Sequence, residues 1–162
     1  MANRIFKESQ TYLGSWVMYA IILTELPILI LLIVLYATSD DKHEMAIALG
    51  VVLGTMVLIF GLIFNLKLET RIDRDSVSFR YFPFILKWRQ FPKEVVKSYE
   101  VIKYSPITDY GGWGFKGNRT TRAYSVLGDE GLLLDVGEKK KILIGTMKSK
   151  ELADFMENWM EK

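Results

Sequence analysis

Two long apolar runs near the beginning of the chain constrain its fold more than any other feature. Residues 16–36 contain a single charged residue, Glu25, and residues 46–66 contain none. As an α-helix with a rise of about 1.5 Å per residue, each run spans roughly 31 Å, which matches the hydrocarbon thickness of a bilayer. The sequence therefore predicts two transmembrane helices joined by a short acidic loop over residues 37–45.

Each run has one alternative interpretation. A cleaved signal peptide is the alternative for the first run, since Arg4 and Lys7 precede it and the small residues Ala37–Ser39 follow it. The run exceeds the roughly 7–15 apolar residues of a signal core, so we favour a membrane span. A buried core helix is the alternative for the second run, but its apolar character is uninterrupted by a polar stripe.

Basic residues near the two runs predict their orientation. Arg4 and Lys7 precede the first run and Lys67 and Arg71 follow the second, whereas the connecting loop contains Lys42 among acidic neighbours. Because Lys and Arg near membrane spans tend to remain in the cytoplasm, we expect both termini to be cytoplasmic.

Composition limits the chemistry that the chain can perform. With no cysteine, disulfides and thiolate metal sites are excluded. The one histidine, His43, lies beside Asp40, Asp41 and Glu44, which we interpret as a solvated connector because metal-ligand spacing is missing. The net charge of +2 is too small to predict nucleic-acid binding and is compatible with weak contact to anionic lipid. We expect no cofactor and no metal.

The chain after residue 66 has a different pattern. Short alternating runs separated by turns predict about seven strands, the first two joined by the polar turn Asp73–Asp75. A helix capped by Ser149 follows, and its apolar residues recur at helical spacing while the acidic residues fall elsewhere. The apolar set is Leu152, Phe155, Met156 and Trp159, and the acidic set is Glu151, Asp154, Glu157 and Glu161.

Several strings in this second part resemble bacterial membrane proteins that combine a helical hairpin with a pleckstrin-homology-like (PH-like) domain and have no established function. The strings are Tyr104-Ser105-Pro106, Tyr110-Gly111-Gly112-Trp113-Gly114, Ala123-Tyr124 and Ile144-Gly145-Thr146. The resemblance implies an α+β protein of the bacterial inner membrane. It implies a hairpin over residues 1–66 and a PH-like bent antiparallel sheet or barrel, capped by the C-terminal helix, over residues 67–162.

The glycine-rich segment Asp109–Val126 is the most unusual part of the second domain. A phosphate-binding loop is disfavoured because no helical pattern and no lysine–hydroxyl pair follow the glycines. Two interpretations remain open. The glycines can form a sharp corner that Tyr110 and Trp113 stabilise, or Tyr110, Trp113, Arg119 and Arg122 can form a surface that docks a partner.

A basic run lies further along, at Lys139, Lys140 and Lys141. In a strand these side chains point alternately to opposite faces, so we interpret them as a solvated strand edge.

The predicted membrane helices contain two further candidates. Glu25 lies near the centre of its span, where an acidic group is unfavourable, and Pro27 frees a backbone carbonyl close by. Glu25 is either a protonatable functional site or a neutral hydrogen-bonding group that contacts the second helix or a neighbouring protomer. Gly50, Gly54 and Gly61 permit close helix packing, within the hairpin or between protomers.

These observations lead to two hypotheses of function. No nucleophile–base pair or metal motif occurs, so we expect a non-enzymatic protein. The first hypothesis is a membrane-tethered protein-interaction or assembly module, with a protein partner or a second copy of the chain bound to it. The alternative is a small oligomeric ion- or proton-coupled membrane component that uses Glu25.

Overall fold

The structure is a computed structural model that describes residues 5–157 and Trp159. The predictions for Arg4 and Glu161 therefore lie outside the described residues.

The described chain is α+β and forms two compact units. The helical hairpin comprises Tyr12–Asn65, and the β unit combines the described residues up to Thr11 with those from Leu66 onward. The sequence predicts that residues 1–66 form the hairpin, whereas the described residues before Tyr12 belong to the β unit.

The hairpin consists of α1, Trp16–Thr38, and α2, Lys42–Asn65. The Ser15 side chain caps α1 by accepting a hydrogen bond from the Met18 amide. Both helices are long and apolar enough to cross a membrane, and within the described chain none of their residues is buried.

The loop between the helices is shorter than the predicted residues 37–45, because local hydrogen bonds extend both helices. The Asp41 carboxylate accepts a hydrogen bond from the Glu44 amide at 3.1 Å, which begins α2 early. At the other side, the Lys42 ammonium donates to two free carbonyls of the last turn of α1, those of Tyr36 at 2.8 Å and Ala37 at 2.7 Å.

A strand that the sequence analysis missed precedes the hairpin. This strand, β1 (Phe6–Thr11), pairs antiparallel with β2 (Lys67–Ile72), so the hairpin is inserted between two neighbouring strands of one sheet. Buried and exposed residues alternate along β1, but the sequence shows no alternation of apolar and polar residues there. The reason is that two of the three buried residues, Glu8 and Gln10, are polar.

Two sheets make up the β unit. The first has the order β1-β2-β3-β4, with β3 at Ser76–Phe82 and β4 at Ile85–Pro92. The second has the order β5-β8-β9-β7-β6. Its strands are β5 (Ser98–Lys103), β6 (Gly114–Gly117), β7 (Thr121–Ser125), β8 (Glu130–Asp135) and β9 (Lys141–Thr146). All strand pairs are antiparallel except β7 with β9, which is parallel.

The described chain thus has nine strands and not about seven. Besides β1, the strand β6 was missed because it is short and begins and ends with glycine, a composition typical of turns. The predicted turn Asp73–Asp75 is confirmed, since the Asp73 carboxylate accepts hydrogen bonds from the Asp75 and Ser76 amides.

Aromatic side chains join the two sheets. The rings of Phe79 and Tyr124 lie 4.7 Å apart, and the buried Tyr81 hydroxyl donates to the Ser125 carbonyl oxygen at 3.1 Å. The core of the β unit is therefore closed by contacts between strands that are distant in sequence.

Short helices complete the β unit. A 3-10 turn spans Lys93–Val95, α3 spans Pro106–Tyr110 and α4 spans Ser149–Met156. Ser149 is the first residue of α4 and not its cap, because Lys148 occupies the capping position. Leu152, Met156 and Trp159 are buried, although Trp159 follows the end of α4.

Candidate interaction surfaces and the carboxylate of the first apolar helix

The glycine-rich segment forms a corner between α3 and β6. Gly111 ends α3 with a φ of 75°, and its amide donates to the Ile107 carbonyl oxygen at 2.9 Å. Gly112 and Gly114 follow with φ values of 124° and 114°. Because residues with a Cβ are strained at positive φ, these three glycines permit the change of direction.

Tyr110 is half-buried at this corner. Its ring meets the buried Tyr104 ring edge-on with centroids 5.7 Å apart, and it packs against the cluster that includes Ala123 and Leu143. Burial raises the pKa of the Tyr110 hydroxyl above its usual value, because the charged phenolate is disfavoured away from water.

Trp113 is also half-buried and stabilises a second turn. Its indole N–H donates to the Gly128 carbonyl oxygen at 2.8 Å, between β7 and β8. The geometry of Tyr110 and Trp113 therefore corresponds to the structural interpretation of the corner, in which their contacts lie within the β unit.

Arg119 and Arg122 lie at the opposite end of the β6–β7 hairpin from Trp113. Gly114 pairs with Ser125 at one end and Gly117 with Arg122 at the other. At about 3.4 Å per residue, strands of this length separate the two ends by roughly 10 Å. The four predicted interaction residues therefore form two separate pairs.

The exposed arginines lie beside the basic run 139–141. The Lys141 amide donates to the Thr120 carbonyl oxygen at 2.8 Å, and the Lys140 ammonium donates to the Asn118 carbonyl oxygen at 2.5 Å. The parallel pairing of Thr121 with Lys141 holds the two turns together. We name the resulting surface the basic cluster; it consists of Arg119, Arg122, Lys139, Lys140 and Lys141.

The basic cluster differs from the predicted strand edge because Lys139 and Lys140 lie in the turn before β9. None of its five cations forms an ion pair with another described residue. The neighbouring carboxylate, Glu138, instead pairs with Arg89 of β4 at 2.5 Å. This cluster is not predictable from the sequence, since parallel pairing of β7 with β9 leaves no signal in either segment alone.

Glu25 lies in α1 and is partly exposed. It makes no hydrogen bond or ion pair with another described residue, whereas the neighbouring Thr24 hydroxyl donates to the Ala20 and Ile21 carbonyl oxygens. The predicted hydrogen bond from Glu25 to the second helix is therefore not present in the described hairpin.

The three glycines of α2 line open space. A Cβ added at Gly50, Gly54 or Gly61 meets no atom within 4 Å beyond its own helix backbone and chain neighbours. Within the described hairpin, α1 does not use these positions for close packing.

His43, the only histidine, lies in the first turn of α2 and is exposed. Among the described residues, no group of three or more His, Asp and Glu side chains is arranged to hold a metal ion.

A scan of protein-family models, a search of curated proteins and a search of solved structures each found no match to this chain. The resemblance to PH-like membrane proteins therefore stays a prediction.

Proposed function

We propose that this chain is a non-enzymatic two-pass membrane protein whose β unit is a membrane-tethered interaction module, and that the basic cluster binds an acidic segment of a partner protein. The observation that carries this proposal is the cluster itself: five cations from the β6–β7 hairpin and from residues 139–141, without an ion-pairing carboxylate among the described residues. Such a surface is complementary to clustered carboxylates.

The membrane anchorage in this proposal is supported by the length and apolar character of α1 and α2. The pairing of β1 with β2 adds a constraint, because strands of one sheet must lie on the same side of any membrane that the hairpin crosses. We place that side in the cytoplasm of a bacterial inner membrane, since Lys7, Lys67 and Arg71 flank the helices there.

The PH-like interpretation of the β unit is part of the same proposal. Two sheets followed by a C-terminal helix support it. The strand β1 and the parallel pair β7–β9 go beyond the simple antiparallel arrangement that we predicted.

Attachment to a membrane explains how the basic cluster can bind a partner through weak contacts. A single exposed ion pair contributes only about 0–1 kcal/mol, so the cluster needs several simultaneous contacts. Confinement of both partners to one membrane raises their effective concentration and compensates for weak individual contacts.

Charge reversal in the full chain tests the proposal. We would measure binding of a fluorescent oligo-glutamate peptide to the protein in nanodiscs, comparing R119E/R122E with the matched control R74E/K150E. We expect binding to be lost only in R119E/R122E and to weaken with added salt. Equal binding by both variants, or tighter binding of an oligonucleotide of equal charge, would contradict an acidic protein partner.

The ion- or proton-coupled alternative is favoured by a different observation, the absence of a described partner for Glu25 in its own hairpin. If this carboxyl group transfers protons, Glu25→Gln should abolish dissipation of a pH gradient in proteoliposomes while R119E/R122E leaves it unchanged. Gradient dissipation that is equal in all three proteins would reject this alternative.

A further inference from the structure

The hairpin between β3 and β4 exposes a group of apolar side chains. Phe82, Phe84, Leu86 and Trp88 are 42%, 53%, 63% and 45% exposed, although they lie within seven residues of one another. We name them the apolar tip. Contiguous exposed apolar surface on a folded unit marks a protein or membrane contact.

One ring of the apolar tip, Phe84, packs on the core of the β unit. The Phe84 ring stacks on the buried Tyr81 ring with centroids 6.0 Å apart and lies 6.4 Å from the exposed Phe115 ring of β6. Phe115 in turn stacks on the buried Tyr124 ring at 5.1 Å. Both sheets therefore position the exposed rings, which form an ordered feature of the fold.

Strand register places this tip next to the points where the chain enters the helices. Thr11 pairs with Lys67, and Lys67 pairs with Phe82, so the three residues form one row across the first sheet. Lys67 follows Asn65, the last residue of α2, by two residues, which allows at most roughly 7 Å between their Cα atoms. One strand spacing of about 4.8 Å separates Lys67 from Phe82.

Together these two steps allow at most roughly 12 Å of chain and strand spacing between Asn65 and Phe82, which is of the same order as the thickness of the bilayer interface. The headgroup regions add roughly 5–8 Å to each side of the hydrocarbon core. The tip also has the composition of an interfacial segment: Trp88 is of the residue type enriched at membrane interfaces, and Lys87 adds an exposed cation for lipid phosphate.

We propose that the apolar tip inserts into the interface of the same bilayer leaflet from which α2 emerges. The β unit then contacts the membrane through its two covalent connections and through Phe82, Phe84, Leu86 and Trp88. This inference rests on the membrane anchorage in the proposed function, and it does not depend on the protein partner.

The absence of cysteine from the chain permits a direct test with single labels. We would place an environment-sensitive fluorophore on F84C or L86C in the full chain in liposomes. The quenchers are lipids with a nitroxide high on the acyl chain and, separately, aqueous iodide. Val95, 45% exposed beyond the other end of the β3–β4 hairpin, provides the matched control V95C, and L31C in α1 reports on membrane anchorage.

We expect the labels at positions 84 and 86 to be quenched severalfold more by nitroxide lipid than by iodide, and the label at position 95 to show the reverse. Labels at 84 and 86 that respond like the label at 95 would overturn the proposal. Labels protected from both quenchers would also overturn it, because a protein surface would then cover the tip. Failure of lipid quenching at position 31 would contradict membrane anchorage itself and so identify a failure of the proposed function.

Discussion

Individual polar residues inside the β unit connect strands that are far apart in the sequence. The Glu8 carboxylate is buried in β1, where it accepts hydrogen bonds from the Thr146 hydroxyl at 2.6 Å and the Met147 amide at 2.7 Å. On the same face, the Gln10 side chain donates to the Gly145 carbonyl oxygen at 2.7 Å. These bonds attach β1 to the end of β9 as well as to its neighbour β2.

We expect Glu8→Ala to lower the free energy of unfolding of the β unit by about 1–3 kcal/mol, because it leaves the buried Thr146 hydroxyl and the partly buried Met147 amide without their acceptor. Lys7→Ala, an exposed position of the same strand, should change stability by less than about 0.5 kcal/mol. Urea unfolding of the full chain in detergent micelles measures both. Similar losses of unfolding free energy in the two variants would show that the hydrogen bonds of Glu8 contribute little to stability.

Another residue-scale effect depends on pH. Glu69 of β2 forms an ion pair with Arg80 of β3 and a second one with Lys67 at 2.8 Å. The hydrogen bond from the Arg80 guanidinium holds the pKa of the Glu69 carboxyl below its usual value, against the opposing effect of burial. Because the pKa of Glu69 is lower in the folded state, its ionised carboxylate stabilises the fold at pH values above the unfolded pKa of about 4.3. This stabilisation is lost as the pH falls through the folded pKa of Glu69.

Glu69→Gln should therefore be less stable than the wild type at pH 7, by up to about 1 kcal/mol for a partly exposed pair. The difference should shrink as the pH falls below about 4.3 toward the lowered folded pKa of Glu69, because the unfolded carboxyl binds protons first in this range. Thermal unfolding followed by circular dichroism between pH 3 and pH 7 measures it. A difference that stays constant over this range would mean that the ionised carboxylate is not its cause.

At the scale of single elements, α2 presents a face that its own hairpin does not cover. Gly50, Gly54 and Gly61 recur on this helix, and an added Cβ at each meets open space. Close approach at such small residues is a common mode of helix association in membranes. Since α1 does not occupy these positions, packing there requires a second copy of the chain or another protein.

We expect Gly54→Leu to leave the unfolding of the β unit unchanged and to lower the mass of the complex isolated in nanodiscs. The reason is that the larger side chain blocks approach between copies without a clash inside the hairpin. Val51→Leu, a volume increase at a neighbouring position of α2, is the matched control and should keep the wild-type mass. A wild-type mass for Gly54→Leu, measured by mass photometry, would contradict association through this face.

At the scale of the whole molecule, the helical hairpin is an insertion into a sheet. Thr11 and Lys67 are directly paired, so their Cα atoms are about 5 Å apart, a separation that a tight turn can span. The β unit thus depends on chain segments before and after the hairpin, and a division of the protein at residue 66 separates β1 from its sheet.

We predict that replacing Tyr12–Asn65 by a short Asn-Gly turn yields a folded β unit without the hairpin. A chain that starts at Leu66 should be markedly less stable, because the loss of β1 exposes the buried edge of β2, including Leu68 and Ile72. Hydrogen exchange and urea unfolding compare the two. Equal protection of backbone amides from hydrogen exchange in both chains would show that β1 is not needed for the stability of the β unit.

Features that depend on a local run of residues were predictable from the sequence. The two apolar helices, the turn Asp73–Asp75 and the buried face of α4 each follow from residue spacing within a short window. A sharp corner at the glycines was one of the two interpretations that the sequence left open, and Gly111, Gly112 and Gly114 have the positive φ values that such a corner permits.

Only the tertiary structure decided which distant segments meet. By itself the sequence determined the two apolar helices and most of the strands, because hydrophobic periodicity is a local property. It did not determine that polar Glu8 and Gln10 face inward, since their burial is favourable only when Gly145, Thr146 and Met147 supply hydrogen-bond partners. The basic cluster likewise exists because parallel pairing of β7 with β9 joins two turns, and long-range pairing of this kind has no signature in either segment alone.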